Sequence, residues 1–141
     1  MTRPENAYEI RIPVTPDDID RLGHVNNVVY LRWVQDAAVA HWLAAASPEM
    51  QKGLIWVVAR HEIDYRHPAM PDDVVLAATW VGAASRRAFE RHTEIRRERD
   101  GRVLAQARTV WCPISLETGR PTDVDEAVRA RFSTPADAVT E

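Results

Sequence analysis

The stretch DDIDRLGHVNNVVYLRW, residues 17–33, places a carboxylate and an imidazole just before an apolar-periodic segment. The carboxylate is Asp20 and the imidazole is His24. Asparagine is a preferred N-cap and the apolar spacing starts after Asn26 and Asn27, so a helix is predicted to begin at this pair. A helix N-terminus carries unpaired N–H groups that polarise a carbonyl oxygen, and a nearby carboxylate can attack that carbonyl or activate water. The stretch therefore predicts an acyl-transfer site.

The apolar spacing along the rest of the chain predicts one long helix followed by antiparallel strands. The predicted elements are a strand at 8–15, a loop at 16–25, a helix at 27–46 that ends at Ser47-Pro48, strands at 57–66, 74–81, 88–98 and 103–115, turns at 68–73, 82–85, 100–101 and 118–119, a short helix at 123–132, and a frayed tail after Pro135. Within the second strand, Val57, Ala59, His61, Ile63 and Tyr65 alternate with Val58, Arg60, Glu62, Asp64 and Arg66, which predicts one solvated face. This order of elements is an α+β layout.

Composition excludes several classes of protein. The 141 residues predict one domain, 1–141, and the net charge of −3 argues against nucleic acid as a partner. No apolar run approaches the ~20 residues that span a bilayer, and the first residues lack the apolar core of a signal peptide. The single cysteine, Cys112, favours a reducing compartment, so we expect a cytoplasmic protein.

The motif Asp-x-Asp-x-x-Gly-His-Val-Asn-Asn-x-x-Tyr at Asp18–Tyr30 resembles that of the hot-dog-fold thioesterases, in particular the 4-hydroxybenzoyl-CoA thioesterase-like acyl-CoA thioesterases. Residues 61–73 resemble the strand-and-turn segment of that family. The resemblance spans about residues 8–132, which we expect to be the ordered core. It implies a hot-dog fold, in which a curved antiparallel sheet wraps around one long central helix. It also implies a homodimer or homotetramer that acts on acyl-CoA, with no metal or redox cofactor.

The same resemblance assigns candidate catalytic residues. It gives Asp20 the role of nucleophile or general base, although an Asx turn also explains an aspartate in such a loop. It places the backbone N–H of Asn27 against the thioester carbonyl, although a simple helix cap also explains this asparagine. His24 matches a histidine implicated in catalysis in plant acyl-ACP thioesterases, but Leu22 stands where those enzymes have asparagine. His24 therefore either takes part in catalysis, orients Asp20 or fixes the loop.

Substrate-binding residues are predicted on the helix and on one arginine-rich segment. By resemblance, Tyr30 and Trp33 line an acyl channel between subunits. Residues 86–108 hold eight arginines and four acidic residues. Arginine suits the phosphates of coenzyme A, and Arg86 and Arg87 in a turn are the candidates, but arginines on strands also form cross-strand ion pairs.

Two alternatives to an acyl-CoA thioesterase stay open. An acyl-ACP thioesterase would use the same chemistry on a protein carrier. A non-catalytic hot-dog domain would bind acyl-CoA without turnover. The spacing of the histidines, with no further ligand residues near them, predicts no zinc site.

Overall fold

Five antiparallel strands form one sheet in the computed structural model, which describes residues 2–133. The order across the sheet is β1-β3-β4-β5-β2, so β1 and β2 lie at opposite edges. The elements are β1 Tyr8–Pro13, a 3-10 turn Pro16–Asp18, α1 Asn27–Ala45, α2 Pro48–Gly53, β2 Leu54–Tyr65, β3 Val74–Ser85, β4 Ala88–Arg97, β5 Val103–Ser115 and α3 Glu126–Phe132. The predicted α+β architecture is confirmed, whereas the tail predicted after Pro135 lies outside the described residues.

Helix α1 packs one side against the sheet and leaves the other open. Its buried residues are Val29, Tyr30, Trp33, Val34, Ala37 and Ala38. All of these except Ala38 pack with sheet residues such as Ile95 and Leu104 in the main core. Val39 and Leu43, on the other side of the helix, are exposed by 50% and 59%. An apolar helix face is therefore uncovered within one chain. Among residues 2–133, no helix is long and apolar enough to cross a membrane.

A β-bulge divides the edge strand β2 into two halves. The pairing with β5 shifts between Val58 and Arg60, which leaves Ala59 as the extra residue. A bulge reverses which side chains point to each face. The more buried side therefore carries Trp56 and Val58 before the bulge but His61 and Ile63 after it. The single alternation predicted over residues 57–66 is wrong for this reason.

The hairpin between β3 and β4 turns later than the sequence predicts. Residues 82–85 belong to β3, and Ser85 pairs with Ala88, so the turn consists of Arg86 and Arg87. The predicted turn at 82–85 is wrong, because Gly82 is needed for a close contact with a neighbouring strand and not for a turn. A Cβ on Gly82 would lie 2.7 Å from Nε2 of His92. Only glycine lets that ring lie against the strand.

A short helix that the sequence analysis missed follows α1. Ser47 ends α1 as predicted, but it also begins α2, because its Oγ accepts a hydrogen bond of 3.3 Å from the N–H of Met50. Pro48 then occupies the first helical turn, where its missing N–H costs nothing. The same Ser-Pro pair is thus a stop signal for one helix and a start signal for the next.

A buried polar cluster interrupts the apolar interior between α1 and the sheet. Nη1 of Arg91 donates to Nδ1 of His41 over 2.9 Å and to Oγ1 of Thr79 over 3.2 Å. The hydroxyl of Thr93 also donates to Oγ1 of Thr79. Because a guanidinium has donors only, Nδ1 of His41 must be unprotonated. The ring of Tyr8 stacks on the imidazole, with centroids 5.2 Å apart.

This cluster predicts a loss of stability in mild acid. Burial, together with the charge of Arg91, lowers the pKa of His41 from 6.5 to about 4. In the unfolded chain His41 takes up a proton below about pH 6.5, whereas in the folded protein it does so only near pH 4. The free energy of unfolding therefore falls as the pH drops from about 6.5 towards 4. After allowance for solvent screening of a partly exposed ring, we expect a loss of about 1–2 kcal/mol. Urea denaturation at pH 7 and pH 4.5 measures it.

The matched control is His41→Gln, which keeps an acceptor for Arg91 but does not titrate. Its free energy of unfolding should fall by about 1–2 kcal/mol less than that of the wild type over the same pH range. Equal losses in the two proteins would show that His41 does not cause the acid sensitivity.

Candidate active site

A tight turn brings Asp20 and His24 opposite each other. The N–H of Asp20 donates to the carbonyl of His24 over 2.9 Å, and the N–H of Gly23 donates back to the carbonyl of Asp20 over 3.1 Å. Ile19 and Val25 form a β-bridge on either side of them. Gly23 has a φ of +82°, a conformation that other residues rarely adopt. The backbone thus holds the residues of the predicted carboxylate and the predicted imidazole side by side.

Asp18 anchors this turn to helix α1. Its carboxylate accepts hydrogen bonds from Nη2 of Arg32 (2.8 Å) and from the N–H of Thr15 (2.9 Å), and its carbonyl accepts from the N–H of Asn26. Burial alone would raise the pKa of Asp18, but the bonds from Thr15 and Arg32 outweigh it and lower that pKa. The first aspartate of the motif is therefore an ionised structural group.

The first turn of α1 offers one free donor. Oδ1 of Asn26 accepts from the N–H of Val28 over 3.0 Å, and its carbonyl accepts from the N–H of Val29. Asn26 is therefore the helix cap, as one reading of the sequence has it. The N–H of Asn27 has no hydrogen-bond partner among residues 2–133, while its carbonyl accepts from the hydroxyl of Tyr65 over 3.1 Å. This N–H is available to a carbonyl oxygen.

Asp20 combines a structural bond with a free oxygen. The N–H of Leu22 donates to Oδ1 of Asp20 over 2.9 Å, so the Asx turn considered for this residue is present. Oδ2 accepts no hydrogen bond from the described part of the chain. One oxygen holds the side chain in place, and the other remains for a substrate or a water molecule.

A cavity of about 410 Å³ joins four of the predicted residues. Asp20, His24, Asn27 and Tyr30 all line it. Tyr30 is almost fully buried, and its hydroxyl accepts a bond of 2.8 Å from the N–H of Ala69. Burial raises the pKa of Tyr30, so the phenol remains neutral. The structure thus assembles a carboxylate, an imidazole and a free N–H around one space.

The other predicted binding residues lie elsewhere within the chain. Trp33 is fully buried against Tyr30, with ring centroids 5.1 Å apart, and does not line the cavity. Nε of Arg86 and Nε of Arg87 both donate to Asp123, over 3.1 and 2.9 Å. Side chains of α3 donate hydrogen bonds to the carbonyl of Ser85, next to this turn, and to the carbonyl of the last residue of α1. The turn therefore lies near the C-terminal end of α1. A helix of 19 residues is about 28 Å long, so one chain does not bring these arginines to Asp20.

Most other arginines of the segment 86–108 make the ion pairs that the alternative reading expects. Arg96 pairs with Glu9 and Glu94, and Arg108 pairs with Glu90 and Glu62. The partners of Arg108 lie on the two neighbouring strands, whereas Glu94 is on the same strand as Arg96 and Glu9 is two strands away; the charges are compensated in both cases.

Three cavity residues escaped the sequence analysis. Tyr65, Arg66 and His67 line the same space at the end of β2. Their position directly before Pro68 marks a strand end, but only the folded sheet shows that this end meets the start of α1. Among residues 2–133, no group of three or more His, Cys, Asp or Glu side chains could hold a metal ion.

Comparison with known proteins identifies the family. The profile of the thioesterase-like superfamily matches residues 14–132. The chain belongs to the thioesterase-like superfamily. A thioesterase from Thermus thermophilus, solved with coenzyme A and Zn, is 30% identical, with a TM-score of 0.76 over 88% of this chain and 90% of that one. YbaW, a probable thioesterase from Escherichia coli, has the same TM-score at 24% identity over 88% of this chain and 95% of its own.

Curated relatives of this thioesterase-like chain include much longer proteins. A palmitoyl-acyl carrier protein thioesterase of Gossypium hirsutum is 33% identical over 109 residues, which are 70% of this chain and 26% of the relative. The corresponding Arabidopsis thaliana protein is 29% identical over 80% of this chain and 29% of its own length. The chain thus spans less than a third of these relatives. The predicted membership in the hot-dog thioesterases is confirmed at the level of this superfamily.

Proposed function

We propose that this chain is an acyl-CoA thioesterase, which hydrolyses an acyl-CoA thioester to a carboxylic acid and free coenzyme A. The observation that carries the proposal is the cavity in which the free Oδ2 of Asp20 and the free N–H of Asn27 occur together. A thioester carbonyl needs a hydrogen-bond donor on its oxygen and a nucleophile or base at its carbon. These two groups meet that need.

The N–H of Asn27 would bind the carbonyl oxygen at the N-terminus of α1. Charge that develops on this oxygen is stabilised there by the N–H and by the helix dipole, and one such donor contributes about 3–4 kcal/mol. The donor is a backbone group, so a side-chain substitution at Asn27 retains it. The Asn26 cap holds the turn in which the donor lies.

Asp20 would either attack the carbonyl carbon or deprotonate a water molecule that attacks it. In the first route the Asp20 oxygen forms an anhydride as the thiolate leaves, and water then hydrolyses it. In the second route the proton of water passes to Asp20, hydroxide adds to the carbon, and the thiolate leaves. Label in Asp20 after a single turnover in ¹⁸O-water identifies the first route, because water that attacks the Asp20 carbonyl of the anhydride leaves its oxygen there. The second route labels only the product acid.

The substrate would extend from Asp20 in two directions. We propose that the acyl group lies near Tyr30 and that Trp33 supports that ring from behind. Arg86 and Arg87 remain proposals for contacts to the phosphates of coenzyme A. A second copy of the chain would have to supply them, because they lie at the far end of α1.

The group that carries the acyl chain is either coenzyme A or an acyl carrier protein. The similarity to the T. thermophilus structure with coenzyme A favours acyl-CoA, whereas the similarity to the plant acyl carrier protein thioesterases favours acyl-ACP. The test is thiol release from short, medium, long and aromatic acyl-CoAs, and from acyl-ACP with matching acyl groups. Turnover of acyl-CoA supports the proposal, and turnover of acyl-ACP alone shifts it to the protein carrier. Tight binding of both without turnover would identify a non-catalytic binding domain.

We propose that two copies pair through the β2 edge. β2 is an edge strand with exposed Ile55 and Val57, and the uncovered Val39 and Leu43 of α1 lie beside its first half. An apolar edge of this kind attracts a second strand. A homodimer covers these groups, and a homotetramer would be built from two such dimers.

Val57→Lys is expected to convert the oligomer to a monomer at micromolar concentration, because it puts a charge on each side of the β2 pairing. Light scattering after gel filtration measures the mass. Met70→Lys, at an exposed apolar side chain outside β2, is the control and should keep the wild-type mass. An unchanged mass for Val57→Lys would contradict pairing through β2.

The chain is proposed to act in the cytoplasm. Its single cysteine is unpaired and half-buried, as suits a reducing compartment. Fractionation of the source cells followed by immunodetection tests this location.

A further inference from the structure

A second cavity, of about 300 Å³, lies at the C-terminal half of α1. Its walls are mainly aromatic and aliphatic, and they include Trp42, Trp56, Trp111 and Phe89. It shares no lining residue with the cavity of Asp20. Its size is at the lower end of small-molecule sites, which run from roughly 300 to 1,000 Å³.

One buried cation lines this apolar cavity. Arg91 is only 5% exposed, and Nη1 is occupied by His41 and Thr79. Its other donors, Nε and Nη2, have no partner among the described residues. The pKa of Arg91 is lowered by burial to about 10, so the side chain is still charged at neutral pH.

No carboxylate of residues 2–133 pairs with Arg91. The nearest acids in sequence are engaged elsewhere, since Glu90 pairs with Arg108 and Glu94 with Arg96. Arg97, the other buried arginine of this strand, has two aspartate partners. A buried charge without a counter-ion is unfavourable, which makes Arg91 an exception within its own strand.

We propose that this cavity binds a carboxylate with an apolar body, whose carboxylate supplies the counter-ion of Arg91. Two guanidinium donors are available for a paired contact with the two carboxylate oxygens. The tryptophans cover the apolar part. A small inorganic anion would leave these aromatic walls unused, and a neutral apolar ligand would leave the cation unpaired.

Such a carboxylate has two sources. One is a free carboxylic acid, and its binding does not depend on any catalytic activity. The other is the distal carboxylate of a dicarboxylic acyl thioester bound in the active site of a second copy, because the cavity begins at Ala38, about 16 Å along α1 from Asn27 of the same copy. This source rests on the proposed function and on the proposed pairing through β2. The experiment therefore begins with binding.

Titration with octanoate and with octanol tests the carboxylate requirement. Trp42, Trp56 and Trp111 lie in the cavity wall, so tryptophan fluorescence reports occupancy directly. We expect wild type to bind octanoate at least 10-fold more tightly than octanol, because only octanoate pairs with Arg91. Arg91→Met should remove this preference. Arg102→Met, the same change at an exposed arginine of the β4–β5 hairpin, should retain it.

A second variant keeps the test decisive if Arg91→Met does not fold. Val39→Trp leaves Arg91 in place and fills the cavity from the side of α1 on which we propose that a second copy packs, so its molecular mass is compared with that of the wild type. It should weaken octanoate binding at least 10-fold. Equal binding of octanoate and octanol by wild type would overturn the proposal, as would tight octanoate binding by Arg91→Met or by a folded Val39→Trp.

Hydrolysis then separates the two sources. If the cavity receives the end of an acyl chain, Arg91→Met should lower kcat/KM for suberyl-CoA about 10-fold and leave octanoyl-CoA unchanged. If it receives a free acid, octanoate binds and the two thioesters respond alike. If no thioester is hydrolysed, the proposed function fails while the binding result still decides the carboxylate site.

Discussion

Asp20→Asn is expected to lower kcat/KM for thioester hydrolysis by about 10²–10⁴-fold, the contribution typical of a positioned base. The substitution removes the charge that attacks the carbonyl or accepts the proton of water. It keeps an oxygen that can accept from the N–H of Leu22, so the turn should keep its shape. Thiol release with the best acyl-CoA of the panel measures the loss, and circular dichroism and molecular mass verify the fold.

Asp17→Asn is the matched control for this result. Asp17 is an exposed aspartate three residues upstream, and its side chain makes no hydrogen bond within residues 2–133. Its loss of charge should change kcat/KM less than about twofold. Wild-type activity in a folded Asp20→Asn protein would place the chemistry elsewhere, and His24, which also lines the cavity, would be the next residue to test.

Arg97→Met is expected to destabilise the fold by about 3–5 kcal/mol, because it removes the buried partner of Asp73 and leaves that buried carboxylate only the largely exposed Arg99. Nε of Arg97 donates to Asp73, Nη1 to Asp100 and Nη2 to the carbonyl of Pro68, each over 3.0 Å. Burial alone would raise the pKa of Asp73, but bonds from Met70 and Arg97 outweigh it and keep the carboxylate ionised. Urea denaturation at pH 7 measures the loss.

Arg99→Met distinguishes the buried pair from ordinary charge attraction. Nε of Arg99 lies 3.5 Å from the same Asp73, but this side chain is largely exposed. Removal of a solvated partner should cost less than about 1 kcal/mol. Similar losses in the two variants would show that burial of the Arg97–Asp73 pair does not matter. Since Pro68 lines the candidate active site, Arg97→Met should also impair hydrolysis at temperatures where the protein stays folded.

The sequence predicted the features that depend on local chemistry. The cap at Asn26, the start of α1 and the hairpin at Asp100-Gly101 follow from preferences of single residues, and the structure has all three. The proximity of Asp20, His24 and Asn27 also follows, because these residues are close in the chain, whereas their roles stay predictions. The family resemblance added the fold around them.

The features that were missed depend on contacts between distant segments. The bulge at Ala59 changes which residues face inward, and no composition signal marks it. Arg86 and Arg87 were predicted to bind phosphate, but within the chain both donate to Asp123. This aspartate is 36 or 37 positions away in the sequence, so no local pattern predicts the contact. Arg91 looked like its neighbours in sequence, yet packing against His41 and Thr79 sets it apart.

The strand order has a consequence for how the chain folds during synthesis. Within the described sheet β2 pairs only with β5, so the strand contacts of Leu54 form only after Ser115 has been synthesised. A nascent chain that ends before β5 carries β2 as an unpaired apolar strand, a state prone to aggregation. The same strand is the proposed contact with a second copy. Two nascent chains on neighbouring ribosomes therefore risk joining through β2 before either sheet is complete, and prompt release of β5 protects against it.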